Sequence, residues 1–210
     1  MHRRHLIQTG FAATAMTALP LGLGACATAP QASGPNEPQY PVASDTSAPA
    51  YTADELVAAG SRELGIAAEA MGTAIEKIFA DQGDRPTAYI AGEEGAGAAV
   101  VGLRYGRGAL HMKDLSASQE VFWQGISVGW DVGGNASRVF TLVYGLYAPD
   151  AIYRRYPGVE GSAYLVGGVG VNYQRADGIV LAPVRTGVGL RLGANVGTMA
   201  YSRQRNLLPF

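Results

Sequence analysis

The sequence has very little of the chemistry that builds disulfides, metal centres or nucleophilic active sites. Its 210 residues include a single cysteine, Cys26, so no internal disulfide can form. Two of its three histidines, His2 and His5, stand at the extreme N-terminus, which leaves His111 for the rest of the chain. One histidine and one cysteine are too few for an imidazole or thiolate metal site. We therefore expect no metal and no cofactor.

Acidic residues are absent from residues 1–26, which are typical of an export signal. After Arg3-Arg4 the segment continues as a mostly apolar run, too short for a membrane-spanning helix. The run ends in Leu23-Gly24-Ala25-Cys26, which resembles a bacterial lipobox, so Cys26 is the predicted lipidation site. The alternative is ordinary cleavage, which leaves a soluble periplasmic protein. The paired arginines leave open whether the signal is of the twin-arginine or the general secretory type.

Large apolar side chains are almost absent from residues 27–50, a Pro/Ala/Ser-rich segment that we expect to be a disordered tether. Ala27, directly after the lipobox, favours the outer membrane for the anchored protein. Residues 27–84 carry nine acidic and two basic side chains, and residues 85–210 carry twelve basic and eight acidic ones. The basic surplus is too small for nucleic acid. We therefore expect no nucleic-acid partner, and membrane association through lipidated Cys26.

Residues 51–84 are predicted to form one long amphipathic helix that ends near Gly83. Thr52 and Glu55 match a capping box, in which each side chain binds a backbone N–H of the other residue. Apolar residues then recur every three or four positions as far as Ile78. The polar side is acidic, which favours packing against the protein over packing on anionic lipid.

Helical periodicity is absent after Pro86, where alternation with a period of two takes over. Alternating stretches predict strands over 97–105, 122–132, 140–146, 163–173 and 186–198. Ala176-Asp177-Gly178 predicts a hairpin turn. Glycine fills 21 of the 126 residues after Asp84, which fits strands that bend sharply into a small barrel.

The predicted fold class is therefore mainly β: a small soluble antiparallel β-barrel of about 8–10 strands, residues 85–210, preceded by one long amphipathic α-helix. A transmembrane barrel is an alternative, because the sequence ends in Phe210. Pro209 interrupts the last five residues, and glycine-broken strands leave no continuous apolar belt.

Catalytic motifs are scarce and lack their structural context. Gly125-Ile126-Ser127-Val128-Gly129 matches the nucleophile elbow, but the following residues continue a strand where the elbow needs a helix. The histidine available as a base, His111, precedes the serine. We therefore predict that the protein is not an enzyme. A periplasmic hydrolase acting through Ser127 or Asp131 is a remote alternative.

Charged and aromatic residues within the predicted strands form the candidate binding or structural network: Trp130, Asp131, Arg104, Arg185 and Arg191. Asp131 precedes a Gly-Gly turn and is expected to cap it. The arginines either pair with Asp131 or Glu160 or line an anion-binding mouth, and pairing is the simpler interpretation. Glu93 and Glu94 are neighbours on a strand, so they face opposite sides and cannot act together on one bond.

The strand region resembles a known family from Tyr89 to the C-terminus. The matching stretches are "AYIAGEEGAGAAVVGLRYGRG", "FWQGISVGWDVGGNASRVFTLVY", "YPGVEGSAYLVGGVGVNYQ", "APVRTGVGLRLGANVG" and the final "PF". They are similar to the envelope integrity protein A-like periplasmic proteins, catalogued as domain of unknown function 1134. The resemblance implies a soluble periplasmic β-barrel with a role in envelope integrity and stress resistance. It implies no known catalytic activity and no established functional residues.

Taken together, these features predict a non-enzymatic periplasmic cell-envelope protein that binds an envelope component or an envelope protein. The alternative is a carrier that holds a lipid or lipid fragment in the barrel, since barrels can enclose apolar ligands.

Overall fold

The computed structural model describes residues 48–98, 101–128, 135–158, 164–186 and 197–206. This part of the chain holds two helices, α1 (Ala53–Leu64) and α2 (Ala68–Gln82), followed by ten strands. The strands are β1 (Ala88–Ala98), β2 (Val101–Met112), β3 (Gln119–Val128), β4 (Asn135–Tyr144), β5 (Arg155–Pro157), β6 (Tyr164–Val166), β7 (Val169–Val171), β8 (Gln174–Ala176), β9 (Ile179–Arg185) and β10 (Thr198–Ser202). A 3₁₀ helix, Pro149–Ile152, lies between β4 and β5.

Several predictions concern segments outside these residues. They are the export signal with its lipobox, nearly all of the tether, and most of the glycine-alternating stretch 186–198. For these segments the sequence interpretation stays a prediction.

The prediction of one long helix is wrong, because the helical segment is broken at Gly65. This glycine has φ 68° and ψ 38°, a left-handed conformation that ends α1, and its N–H donates to Ser61 O over 2.9 Å. The N–H of Ile66 donates to the same carbonyl. The predicted capping box is confirmed: Thr52 N–H donates to Glu55 Oε2 over 2.9 Å, and Glu55 N–H donates to Thr52 Oγ1 over 3.4 Å. The predicted end at Gly83 is also confirmed.

The ten strands form one curled antiparallel sheet with the order β5-β10-β3-β2-β1-β4-β9-β7-β6, and β8 pairs with β9. An antiparallel bridge between Gly158 and Gln174 joins the end of β5 to β8. The sheet therefore curls back toward its own edge, and the prediction of a mainly β, antiparallel, barrel-like fold is confirmed.

Two predicted strands are each divided by a turn. The stretch 97–105 contains the β1–β2 hairpin, whose strands pair up to Ala98 and Gly102. The stretch 163–173 turns at Gly167 and Gly168, which have φ 57° and 82°, and so yields β6 and β7. The predicted hairpin turn is confirmed, with Asp177 at φ 47° and Gly178 at φ 78° between β8 and β9.

Apolar side chains pack into two separate cores. The outer core lies between the helices and the convex face of the sheet and includes Leu56, Met71, Ile75, Ile78, Phe140, Leu142, Tyr144 and Val184. The inner core lies on the concave face and includes Ile90, Leu110, Val121, Trp123, Val143, Leu181, Tyr156, Met199 and Tyr201. In the part of the chain that is described, no helix is long and apolar enough to cross a membrane.

Candidate functional site

The inner core contains a buried carboxylate, Glu94. It faces this core because side chains along β1 alternate between the two faces of the sheet. Ala88 and Ile90, at even positions, belong to the inner core, and Ala91, at an odd position, belongs to the outer core. Glu94 shares the even phase and is 3% exposed, whereas Glu93 is exposed. The prediction that these two glutamates face opposite sides is confirmed.

Three side chains from three other strands donate hydrogen bonds to Glu94. Arg185 on β9 donates from Nε to Oε1 over 3.1 Å and from Nη2 to Oε2 over 3.5 Å. Arg104 on β2 donates from Nη1 to Oε1 over 3.3 Å. Trp123 on β3 donates from Nε1 to Oε2 over 3.0 Å. We call Glu94, Arg104, Arg185 and Trp123 the Glu94 cluster.

The electrostatics of the cluster keep the carboxylate charged. Burial alone raises the pKa of Glu94, but the positive charges of Arg185 and Arg104 and the hydrogen bonds from Arg185 and Trp123 outweigh it. The pKa of Glu94 therefore lies below its ordinary value. A fully buried carboxylate with a lowered pKa is poorly suited to general acid catalysis near neutral pH.

A glycine makes room for the tryptophan of the cluster. Along one row of the sheet, Glu94 pairs with Gly106, Gly106 with Trp123, and Trp123 with Tyr201. A Cβ on Gly106 would lie 2.0 Å from Cε2 of Trp123. The indole therefore crosses over the bare backbone of β2 to reach Glu94 on β1.

Arg185 extends the cluster beyond these strands. Its Nη1 donates to Oδ1 of Asn172, in the connection between β7 and β8. In the sheet β4 separates β9 from β1, so the bond from Arg185 to Glu94 crosses the concave face. The cluster thus joins β1, β2, β3 and β9 with the β7–β8 connection, and it holds the curl of the sheet from inside.

The chain matches a known protein family and a solved structure. The model of the family described as Envelope integrity protein A matches residues 49–210. The chain belongs to the envelope integrity protein A family. It is also similar to a solved structure, the crystal structure of a beta-barrel-like, uncharacterized protein from Brucella abortus. The two are 44% identical with a TM-score of 0.68, and the match covers 78% of this chain and 100% of that chain. No curated protein matches the sequence.

In this member of the envelope integrity protein A family, the structure brings together two of the predicted site residues, Arg104 and Arg185. Their common partner is Glu94, which the sequence analysis did not propose. Trp130, Asp131, Arg191 and Cys26 lie outside the described residues, as does Glu160. The expected pairing of arginines with Asp131 or Glu160 therefore stays a prediction.

Sequence reasoning missed Glu94 and Trp123, although one signal for them was present. Each of the three residues lies an even number of positions from an inner-core residue of its own strand, and so faces the same side. The pairs are Glu94 with Ile90, Arg185 with Leu181, and Trp123 with Val121. Charged residues in the phase of buried residues indicate an internal ion pair. Which of these residues contact one another depends on the order of the strands in the sheet. The alternation within each strand does not reveal that order.

Two residues that the sequence analysis considered for catalysis, Ser127 and His111, lie on strands of this family member. Ser127 is the penultimate residue of β3, and the residues that directly follow this strand lie outside the described structure. Among the residues with a described structure, no group of three His, Cys, Asp or Glu side chains could hold a metal ion. His111 stacks on Tyr89, with ring centroids 4.7 Å apart.

Proposed function

We propose that this protein is a non-enzymatic binding module of the bacterial envelope, exported to the periplasm and held at the outer membrane by a lipid on Cys26. It supports envelope integrity and stress resistance by binding an envelope component or an envelope protein. The family assignment supports the envelope role. The lipobox and the Pro/Ala/Ser-rich tether support anchoring.

The observation that carries the non-enzymatic part of the proposal is the Glu94 cluster. Its carboxylate is fully buried and bound by two guanidinium groups and an indole N–H. Such a group stabilises the curled sheet and is not available to a substrate. A rigid wall of strands is a suitable scaffold for a binding surface formed by loops.

The filling of the inner core supports a binding module over a lipid carrier. Side chains with less than 2% exposure occupy the concave face, including Ile90, Leu110, Leu181 and Tyr156. A carrier needs an internal volume of several hundred cubic ångströms for an acyl chain. Native mass spectrometry of protein purified from envelopes tests the carrier alternative directly, since a retained lipid would add mass.

Complementation of a deletion strain tests the proposed function. We expect the strain to be sensitive to detergent and to cell-wall antibiotics, and the wild-type gene to restore resistance. Ser127→Ala and Asp131→Asn, which remove the candidate hydrolase groups, should restore resistance fully at wild-type protein levels. Loss of resistance with a correctly folded, normally abundant Ser127→Ala or Asp131→Asn protein would contradict a non-enzymatic role.

Cell fractionation tests the anchor separately. Wild-type protein is expected in the membrane pellet, because a lipidated N-terminus buries enough methylene groups for stable attachment. Cys26→Ser should release the protein into the soluble periplasmic fraction. Wild-type protein that is already soluble, with no precursor accumulating under globomycin, would mean that Cys26 is not lipidated.

A further inference from the structure

One end of the curled sheet, which we call the lower end, is defined by where four strands begin or finish. β1 begins there at Ala88, which pairs with Met112 at the end of β2 and with Val143 near the end of β4. β9 also begins there, since Val180 pairs with Tyr144. The Glu94 cluster lies farther up the strands.

The N-terminal tether joins the fold at this lower end. Tyr51 N–H donates to Pro86 O over 2.9 Å, and Arg85 Nη2 donates to Ala48 O over 2.8 Å. Pro86, the acceptor of the first bond, and Arg85, the donor of the second, lie just before β1. The chain that leads back to Cys26 therefore leaves the described fold from the lower end.

Two large apolar side chains are exposed at the same end. Leu115, which follows β2, is 46% exposed, and Tyr147, which follows β4, is 45% exposed. Thr87 connects their two loops: Lys113 N–H donates to Thr87 O over 3.0 Å, and Leu146 N–H donates to Thr87 Oγ1 over 3.1 Å. Leu115 and Tyr147 thus project from neighbouring loops that share one hydrogen-bonded support.

Three ion pairs lie around this end, and Asp114, beside Leu115, adds an exposed acidic side chain. Lys113 binds Glu55, Arg154 binds Asp177 over 2.7 Å, and Arg203 binds Asp150 over 2.7 Å. These pairs carry no net charge. Any attraction of this end to a surface would therefore come mainly from its apolar side chains.

We propose that the lower end contacts the surface of the lipid bilayer, with Leu115 and Tyr147 inserted at the boundary between headgroups and acyl chains. Tyrosine suits this boundary, because its ring is apolar and its hydroxyl can remain hydrated. The 21 residues between Cys26 and Ala48 would span about 25 Å as a flexible chain, so a lipid on Cys26 would keep this end near the membrane. Two side chains bind weakly alone, and the tether raises their effective concentration at the surface.

This inference rests on the proposed anchoring for the direction of the tether, but its test does not require the lipid. Full-length mature protein carrying Cys26→Ser is mixed with phosphatidylethanolamine vesicles, with or without phosphatidylglycerol, and separated by flotation. We expect weak flotation, measurable at high lipid concentration, that changes little with salt or with phosphatidylglycerol. Adding Leu115→Ser and Tyr147→Ser should weaken it by roughly tenfold or more. The matched control is Leu103→Ser with Leu165→Ser, at exposed positions away from the lower end, and it should float like the parent.

A second measurement reports the position of the side chain. Leu115→Trp should show fluorescence quenched by brominated lipid, whereas Leu103→Trp should show no more quenching than the parent. Equal flotation of the two double variants, or equal quenching at positions 115 and 103, would overturn the inference. A soluble wild-type protein in cells, together with intact vesicle binding in vitro, would instead overturn the anchor and leave the contact surface standing.

Discussion

The outer and inner cores are built from the two faces of the same strands, yet they differ in where their polar groups lie. The outer core is apolar in its centre and places its polar contacts at the margin, where Tyr173 donates to Asp81 Oδ2 over 2.8 Å and Lys77 binds Asp81. The inner core carries the Glu94 cluster among apolar side chains. Helices cover one face, and the strands themselves enclose the other.

The difference follows from what each core must specify. Helix packing in the outer core is directed by the shapes of side chains such as Met71, which lies against Gly60 so closely that a Cβ there would be 2.4 Å from Met71 Cε. The inner core must fix how strongly the sheet curls. Hydrogen bonds of defined direction from β2, β3 and β9 to one carboxylate impose that geometry, whereas apolar contacts alone are not directional.

The largest expected effect comes from breaking the Glu94 cluster. Glu94→Gln removes the negative charge that Arg104 and Arg185 both contact in the inner core. Removing one member of a buried ion pair typically costs about 3–5 kcal/mol of unfolding free energy. Urea denaturation monitored by circular dichroism measures this change.

The matched control for this cluster is Glu93→Gln, on the exposed side of the same strand, which should be nearly neutral. If Glu94→Gln does not fold, Trp123→Phe removes a single donor to the charged carboxylate and should cost about 1.5–3 kcal/mol. A Glu94→Gln protein as stable as the Glu93→Gln control would show that the cluster does not hold the sheet.

In the outer core, the largest loss of stability should come from disturbing apolar packing rather than from removing a charge. Met71→Ala removes a fully buried side chain and leaves a cavity beside Gly60, which should cost about 3 kcal/mol. The variant should also expose α1 and α2 to protease before the strands are cut. Ala80→Gly, at an exposed position of α2, is the control and should cost about 1 kcal/mol. Identical cleavage patterns in the Met71→Ala protein and its parent would contradict a separate outer core.

A smaller effect is expected where the inner core admits no additional atom. Gly106→Ala places a methyl group against the Trp123 ring and should destabilise the protein by about 1–3 kcal/mol. The indole must move, so near-ultraviolet circular dichroism should change as well. Gly95→Ala is the control, because its Cβ would have its nearest neighbour at 3.9 Å. Equal stability of the two alanine variants would mean that Trp123 can repack freely.

Most of the fold could be predicted from the sequence, because its signals are local. Alternation with period two identifies strands, Thr52 and Glu55 identify a helix start, and Asp177-Gly178 identifies a hairpin. The breaks were missed for a physical reason: Gly65 and the Gly167-Gly168 pair interrupt patterns that continue in phase on both sides. A glycine permits a turn without requiring one.

The candidate site was harder to predict because its residues are far apart in the chain. Arg185 and Glu94 are separated by 91 positions, and they meet because β9 and β1 flank β4. Strand order of this kind depends on which strands become neighbours in the sheet, and no short sequence motif encodes it. Arg104 and Arg185 could be selected as unusual strand residues, but their shared partner required the structure.

The smallest expected effect is the dependence of stability on pH. His111, on the outer face, and Glu94, on the inner face, should lower stability in different pH ranges. Burial is the main cause that lowers the pKa of His111 from its ordinary 6.5; the charges of Glu63 and Arg62 act on it in opposite directions. The unfolded chain therefore takes up this proton first, and stability is lost as pH falls below about 6.5. Glu94 also has a lowered pKa, so its contribution is complete above the ordinary 4.5 and is lost only in stronger acid. Urea denaturation at a series of pH values should thus show a shallow decline that His111→Gln removes, and a steeper acid decline that Glu94→Gln removes. A shallow decline that persists in His111→Gln would assign it to another group.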